Sequence, residues 1–136
     1  MVMEPFNEIV ALYFRAWNEP SLEQCACRLA ECCTSNLVYF DPKYTCRGIE
    51  DLAARILKSR AEAPNFQVDV TTAIDGYDDT FRYGWVFAVN DRVRIPGLDV
   101  AVRAKDGKLA SITSFFGSLE TVVAGMPPRL QPRWGM

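Results

Sequence analysis

The chain has 136 residues, 49% of them hydrophobic and 12% aromatic, so it is long enough for one domain with a sizeable core and too short for two ordinary ones. Its 15 basic and 17 acidic residues give a net charge of −2 without a basic cluster, which disfavours nucleic acid as a partner. No apolar run reaches the roughly 20 residues of a membrane-spanning helix and no signal peptide is evident, so we expect a cytoplasmic protein without a membrane partner.

The cysteines are clustered, with Cys25, Cys27, Cys32 and Cys33 close together and Cys46 further on. This odd, uneven set favours free thiols over a disulfide framework. Their spacing matches no C-x-x-C pattern and the chain contains no histidine, so we expect no metal site. The lack of histidine also excludes Ser-His and Cys-His nucleophilic machinery, which leaves acid and base chemistry to Asp, Glu, Tyr, Lys or Cys.

Three helices are predicted in the first half of the chain. Apolar residues recur at helical spacing from Phe6 to Asn18, which predicts the first. The second begins at Ser21, which forms a capping box with Gln24, and the polar residues 34–36 are expected to end it. Apolar spacing predicts the third from about Ile49 to Ala61.

The LVYF segment, residues 37–40, predicts a first strand that ends at Asp41-Pro42. Alternating apolar residues predict further strands, at 66–70, 81–89, 98–104 and 109–116. Pro96-Gly97 is expected to break the extended structure just before the strand at 98–104. Asp106-Gly107 predicts a hairpin turn between that strand and the one at 109–116. The expected fold is α+β, with three helices packed on a curved antiparallel sheet that forms a cone-shaped pocket, in one domain of residues 1–125 with an irregular tail, 126–136.

The order and punctuation of these elements resemble the nuclear transport factor 2-like superfamily, which includes ketosteroid isomerases and SnoaL-like polyketide cyclases. The resemblance covers about residues 5–117. It rests on three pieces of sequence: Tyr13 with Trp17 on the first helix, Asp41-Pro42 followed by Gly48, and the LDVAVRAKDGKL run from Leu98 to Leu109. It implies a small apolar ligand in the pocket.

Three candidate catalytic residues follow from the resemblance. The position of the isomerases' oxyanion tyrosine falls on Tyr13, that of their proton-moving aspartate on Asp41, and that of their neutral aspartic acid, eight residues before Gly107, on Asp99. This chemistry needs a base over the carbon next to a carbonyl and donors at the oxygen where charge develops, and it needs no cofactor. A carboxyl group such as Asp99 donates only if an apolar site keeps it protonated.

Each candidate also has an ordinary structural explanation. Tyr13 lies on an apolar helical stripe, and Asp before Pro is a common end of a strand. Asp99 interrupts an apolar strand, so it either lines a pocket, faces solvent or pairs with an arginine such as Arg103. The sequence also departs from the isomerases, because the expected supporting tyrosine of the third helix is replaced by Ile56 and the connection after Pro42 is shorter.

The aromatic residues Trp17, Trp85, Phe87, Phe115 and Phe116 are expected to form core or the wall of an apolar ligand pocket. The first functional hypothesis is an isomerase or cyclase of small hydrophobic molecules. One alternative is a non-catalytic binding or dimerisation domain that forms a homodimer through its convex sheet face. Another is a water-activating hydrolase of the limonene epoxide hydrolase type, which Arg82 or Arg103 paired with Asp99 would favour.

Overall fold

A computed structural model describes residues 4–118 of the chain. Three helices pack against one face of a curved, unclosed sheet. The helices are α1 (Glu4–Trp17), α2 (Leu22–Cys32) and α3 (Ile49–Glu62), and the strands are β1 (Cys33–Phe40), β2 (Thr45–Arg47), β3 (Phe66–Val70), β4 (Asp75–Tyr77), β5 (Thr80–Val89), β6 (Arg92–Arg103) and β7 (Leu109–Phe116). Strand order is β2-β1-β7-β6-β5-β3, with β4 also paired to β5.

The predicted helices are confirmed, and their ends follow from local chemistry. The Ser21 hydroxyl accepts a hydrogen bond from the backbone N–H of Gln24 at 3.1 Å, which caps α2. Gly48 precedes α3 with a φ of +89°, a conformation that favours glycine, and its N–H donates to the Leu37 carbonyl at 2.7 Å. That bond fixes the start of α3 against β1.

The first strand is longer than predicted. Residues 34–36 do not lie in a connection after α2, because β1 begins at Cys33 directly after the helix and Cys33 pairs with Leu109 of β7. The polar segment after Pro42 also contains a short strand, β2, which pairs with residues 38–40 of β1. Local composition missed the start of β1 because it depends on pairing with β7, far along the chain, and it missed β2 because that strand has only three residues.

The predicted break at Pro96-Gly97 is wrong, because β6 runs through both residues and pairs along its length with β5. The Pro96 carbonyl accepts from Gly117 N–H at the end of β7, so the proline turns its missing N–H to that side and β5 loses no hydrogen bond. Gly97 is required for a different reason, since the indole of Trp85 lies where its side chain would stand.

The sheet is mixed, which corrects the expectation of a purely antiparallel one. β1 pairs with β7 in parallel, while β7, β6, β5 and β3 form an antiparallel series. A parallel neighbour needs a long connection, here the whole chain from α3 to β6, so no short-range pattern announces it. The hairpin between β6 and β7 is confirmed, with Gly107 at a φ of +87°.

Buried residues of the helices and of the inner sheet face form one core. α1 contributes Phe6, Val10 and Tyr13 to it, and α3 contributes Leu52 and Ile56. Within residues 4–118 no helix is long and apolar enough to cross a membrane. The predicted tail, 126–136, lies outside the described residues, as does the end of the predicted domain.

Candidate active site

A cavity of about 240 Å³ lies between α1, α3 and the inner face of the sheet. Tyr13, Asp41 and Asp99, which come from a helix, a strand end and the middle of a strand, all line it. Aromatic side chains supply much of the remaining wall, namely Trp17, Tyr39, Trp85, Phe87 and Phe116. The three residues singled out from the sequence are therefore brought to one space.

Phe115 does not line this cavity, contrary to the sequence prediction. Its side chain is 52% exposed, whereas its neighbour Phe116 packs edge-on against Trp85 in the cavity wall. Successive side chains of a strand point to opposite faces, so the two phenylalanines cannot share one wall.

Tyr13 lies on the buried side of α1, and its hydroxyl is inaccessible to water. The side chain of Trp17 lies close enough to lower the pKa of Tyr13, but neither it nor any other partner among the described residues meets hydrogen-bond geometry for this hydroxyl. Burial, and after it the nearby Asp99, raise the pKa of Tyr13 well above its usual value, so the phenol keeps its proton. An unpartnered buried hydroxyl is uncommon and costs folding energy, which makes it a candidate donor for a ligand.

Asp41 both closes the strand and faces the cavity. Its Oδ1 accepts the backbone N–H groups of Lys43 and Tyr44, each at 2.8 Å, which is the turn predicted at this strand end. Its Oδ2 accepts the Tyr39 hydroxyl at 2.9 Å. A carboxylate has about four lone-pair positions, so Asp41 keeps one free on the oxygen that Tyr39 holds.

Asp99 is almost completely buried, with 3% of its surface exposed. Its Oδ1 accepts the indole N–H of Trp85 at 2.7 Å and its Oδ2 accepts the Tyr83 hydroxyl at 2.8 Å. Burial raises the pKa of Asp99 to about 6, against hydrogen bonds from Ser114, Tyr83 and Trp85 that lower it. The carboxyl group thus changes its charge near neutral pH, inside an aromatic cavity.

Sequence reasoning did not identify Tyr39, Tyr83 and Ser114 as parts of this site. Tyr83 and Ser114 are the residues directly opposite Asp99 on β5 and β7. Tyr39 lies next to both carboxyl groups, since Asp41 and then Asp99 follow burial among the causes that raise the pKa of its phenol. The alternation of apolar residues in β5 indicates that Tyr83 lies on the buried face of the sheet. Only the strand register shows that Tyr83 is paired with Asp99.

The arginines considered as partners of Asp99 lie elsewhere. Arg82 pairs with Asp75 at 2.9 Å, and Arg103 lies 3.5 Å from Asp79 and over the ring of Phe6. The contacts of Asp99 within residues 4–118 are with uncharged donors. This part of the chain does not form the aspartate–arginine pair that would favour a water-activating hydrolase.

On the α3 side the cavity is lined by Arg55 and Ser59, which are one helical turn apart and therefore lie on the same face of the helix. The guanidinium of Arg55 lies over the ring of Tyr44, with its carbon 3.8 Å from the ring centre. It also donates to the Ser59 hydroxyl. Lys43 and Glu62 complete the rim, and both are exposed.

All five cysteines are free thiols. Burial raises the pKa of Cys25 to about 12 and that of Cys46 to about 11, so both are protonated and poorly nucleophilic at neutral pH. Residues 4–118 contain no group of three or more Cys, Asp or Glu side chains that could hold a metal ion.

Solved structures of other proteins have the same fold. A proposed isomerase of the SnoaL-like family from Agrobacterium tumefaciens has a TM-score of 0.80 and 24% identity, over 85% of this chain and 100% of that one. A proposed polyketide cyclase from Sinorhizobium meliloti has a TM-score of 0.63 and 14% identity, over 79% and 93% of the two chains. A Catenulispora acidiphila protein with a ketosteroid isomerase-like fold has a TM-score of 0.65 and 16% identity, over 79% and 84%.

The chain therefore has the nuclear transport factor 2-like fold, which confirms at the level of fold the resemblance seen in the sequence. It matches no protein-family model and none of the curated proteins that it was compared with. At identities below 25% the solved structures establish the fold alone, because one fold carries many functions.

Proposed function

We propose that the protein moves a proton next to the carbonyl group of a small, largely apolar molecule held in the cavity. The observation that carries this proposal is that Tyr13, with an unpartnered buried hydroxyl, lines the same cavity as Asp41 and Asp99. The proposal gives that hydroxyl the ligand oxygen that it lacks among the described residues.

In the proposed reaction the Asp41 carboxylate takes a proton from the carbon beside the carbonyl. The electrons of the broken C–H bond form an enolate, whose oxygen accepts hydrogen bonds from Tyr13 and from the protonated form of Asp99. In a β,γ-unsaturated substrate the negative charge extends over the second double bond, so Asp41 returns the proton to the γ-carbon of this dienolate, and the double bond moves into conjugation without a cofactor. Because the pKa of Asp99 is raised to about 6, its protonated form predominates below that pH and is more populated at neutral pH than that of an ordinary aspartate.

The test is the Asp41→Asn variant with a β,γ-unsaturated cyclic ketone, whose conversion to the conjugated isomer is followed by ultraviolet absorbance. Asparagine retains an oxygen for the two turn hydrogen bonds, and we expect turnover to fall by on the order of a hundredfold or more. Asp106→Asn is the matched control, since Asp106 accepts a similar turn bond from Lys108 N–H, at 3.0 Å, on the hairpin after β6. Unchanged turnover in Asp41→Asn contradicts the proposal.

A second candidate function is ligand binding without chemistry. The observation that favours it is that three hydrogen bonds already hold the Asp41 carboxylate, which leaves one lone pair for a substrate proton. In that case the wild-type protein binds a cyclic ketone but leaves it unconverted.

Pairing of two copies through the outer sheet face is part of this second candidate. Phe40 and Phe115 lie on that face, 39% and 52% exposed. Analytical ultracentrifugation of the wild type and of Phe115→Glu tests the pairing. We expect a dimer that the added charge converts to monomer, and a monomeric wild type would contradict it.

A further inference from the structure

Arg55 is a cation of the cavity wall that has no anionic partner within residues 4–118. The ion pairs found within residues 4–118 involve Arg28, Arg82 and Arg103, and none involves Arg55. Its Nε is buried and has no hydrogen-bond partner there. Arg55 is half-buried, and an N–H donor that is withdrawn from water without an acceptor is unfavourable, so this arrangement has a cost that a ligand can offset.

The orientation of the guanidinium is already fixed. The ring of Tyr44 supports one face of the guanidinium at 3.8 Å, and the hydroxyl of Ser59 takes one of its N–H groups. A guanidinium has five N–H donors in a planar fork, which matches the two oxygens of a carboxylate. Because stacking and the serine bond hold that plane, a ligand pays little of the usual ordering cost.

The surroundings also favour an anion at this place. Lys43 lines the same cavity and forms no ion pair within the described residues, so the wall carries a second cation in addition to Arg55. Three acids lie in this region, and each is engaged or exposed. Asp41 accepts three hydrogen bonds, Asp51 accepts the Arg47 N–H at 2.9 Å, and Glu62 is exposed at the end of α3, where water screens it. Deeper in the cavity the wall is aromatic, which suits an apolar body and not a second charge.

We propose that Arg55 binds a carboxylate of the ligand at the cavity mouth, while the apolar body of the ligand lies between the aromatic side chains. This inference rests on the proposed function for its reactive end, where Tyr13 and Asp99 receive the carbonyl oxygen. Together the two ends define the substrate class as apolar keto acids. Arg55, held by the Tyr44 ring, makes the site selective for ligands that carry a carboxylate.

The experiment measures binding of 2-naphthoate and of its neutral amide, 2-naphthamide, by isothermal titration calorimetry at pH 8. The two probes share their ring system and differ in charge. We expect the wild type to bind the carboxylate about tenfold or more tightly than the amide, as a charge-assisted hydrogen bond predicts. In Arg55→Met the carboxylate should bind about as weakly as the amide, with amide binding little changed.

Lys58→Met is the matched control, because it removes the same charge from an exposed position of α3 away from the cavity. Its preference for the carboxylate should equal that of the wild type. If Arg55→Met does not fold, Arg55→Lys provides the test, since it keeps the charge and loses the fork; a reduced preference supports the proposal and an unchanged one contradicts it.

Equal binding of the two probes by the wild type, retained preference in Arg55→Met, or no binding of either probe overturns the inference. Turnover is not measured in this experiment. A protein that binds the carboxylate through Arg55 but isomerises no ketone therefore contradicts the proposed function alone, and the two failures are distinguishable.

Discussion

The indole ring of Trp85 occupies the space in which a side chain at residue 97 would stand. The two residues are direct partners on β5 and β6, and a Cβ added to Gly97 would lie 2.1 Å from the indole. From this position the indole N–H reaches Asp99 Oδ1 at 2.7 Å. The absence of a side chain at Gly97 thus leaves room for the Trp85 indole in the position from which it donates to Asp99.

Gly97→Ala is expected to displace the indole and to break its hydrogen bond to Asp99. Overpacking of this kind costs roughly 1–3 kcal/mol of unfolding free energy. The pKa of Asp99 should rise above about 6, because a hydrogen bond that lowers it is lost. Urea denaturation and carboxyl carbon NMR measure the two effects.

Gly107→Ala is the control for that experiment. Its Cβ meets no atom within 4 Å, but the φ of +87° strains any residue other than glycine. The variant should therefore lose stability without a change in the Asp99 pKa. An Asp99 pKa that stays at the wild-type value in Gly97→Ala contradicts the role given to the indole.

The pH dependence of stability should contain a contribution from Asp99. Its folded-state pKa, about 6, lies above the ordinary value of 3.8, so the folded protein binds this proton more tightly than the unfolded chain does. This contribution is fully present below pH 3.8 and is lost as the pH rises through about 6. Two pKa units correspond to about 3 kcal/mol as an order of magnitude.

Asp99→Asn, which cannot titrate, isolates that contribution from those of other carboxyl groups. Urea denaturation at pH 4 and at pH 7 should show that the wild type loses more stability than Asp99→Asn between these values. Parallel pH profiles for the two proteins would mean that Asp99 has an ordinary pKa in the folded state.

Tyr13 and Tyr83 offer opposite outcomes for the same change. Tyr13→Phe removes a buried hydroxyl that has no partner within residues 4–118, so stability should stay equal or increase by about 1 kcal/mol, while ketone turnover falls. Tyr83→Phe removes a donor to Asp99, so stability should decrease by about 1–3 kcal/mol. Thermal denaturation with the isomerisation assay tests both. A large loss of stability in Tyr13→Phe would indicate an ordinary core tyrosine.

Local sequence patterns predicted most of the helices and strands correctly. Helical spacing and caps predicted the three helices, and alternation predicted most of the strands and the hairpin at Gly107. The three candidate residues were also found, because the resemblance aligned them by position. Local patterns do not determine strand register, that is, which residues of two strands are paired, because the register depends on residues far apart in the chain.

The features that were not predicted are those that depend on strand register. Interpreting Pro96-Gly97 as a break hid the alignment of β6 with β5, and with it the partners of Asp99. The parallel pairing of β1 with β7 joins distant segments, so no local rule predicts that Tyr39 lies beside Ser114. The misplacement of Phe115 was avoidable, since alternation alone separates it from Phe116.

Tyr39→Phe tests whether Asp41 is held for proton transfer or only for its turn. The change removes the hydrogen bond to Oδ2 at 2.9 Å but leaves both turn bonds to Oδ1, so the strand end should keep its conformation. Without this bond the reactive oxygen is less well positioned, and we expect kcat for the cyclic ketone to fall about tenfold or more with KM little changed.

Tyr77→Phe is the matched control for Tyr39→Phe, because Tyr77 is an exposed tyrosine outside the cavity wall. It should leave both kinetic constants unchanged. If Tyr39→Phe raises KM and leaves kcat unchanged, Tyr39 serves the shape of the cavity. The Asp41 carboxylate would then need no tyrosine to orient it, since the turn at Pro42 would suffice.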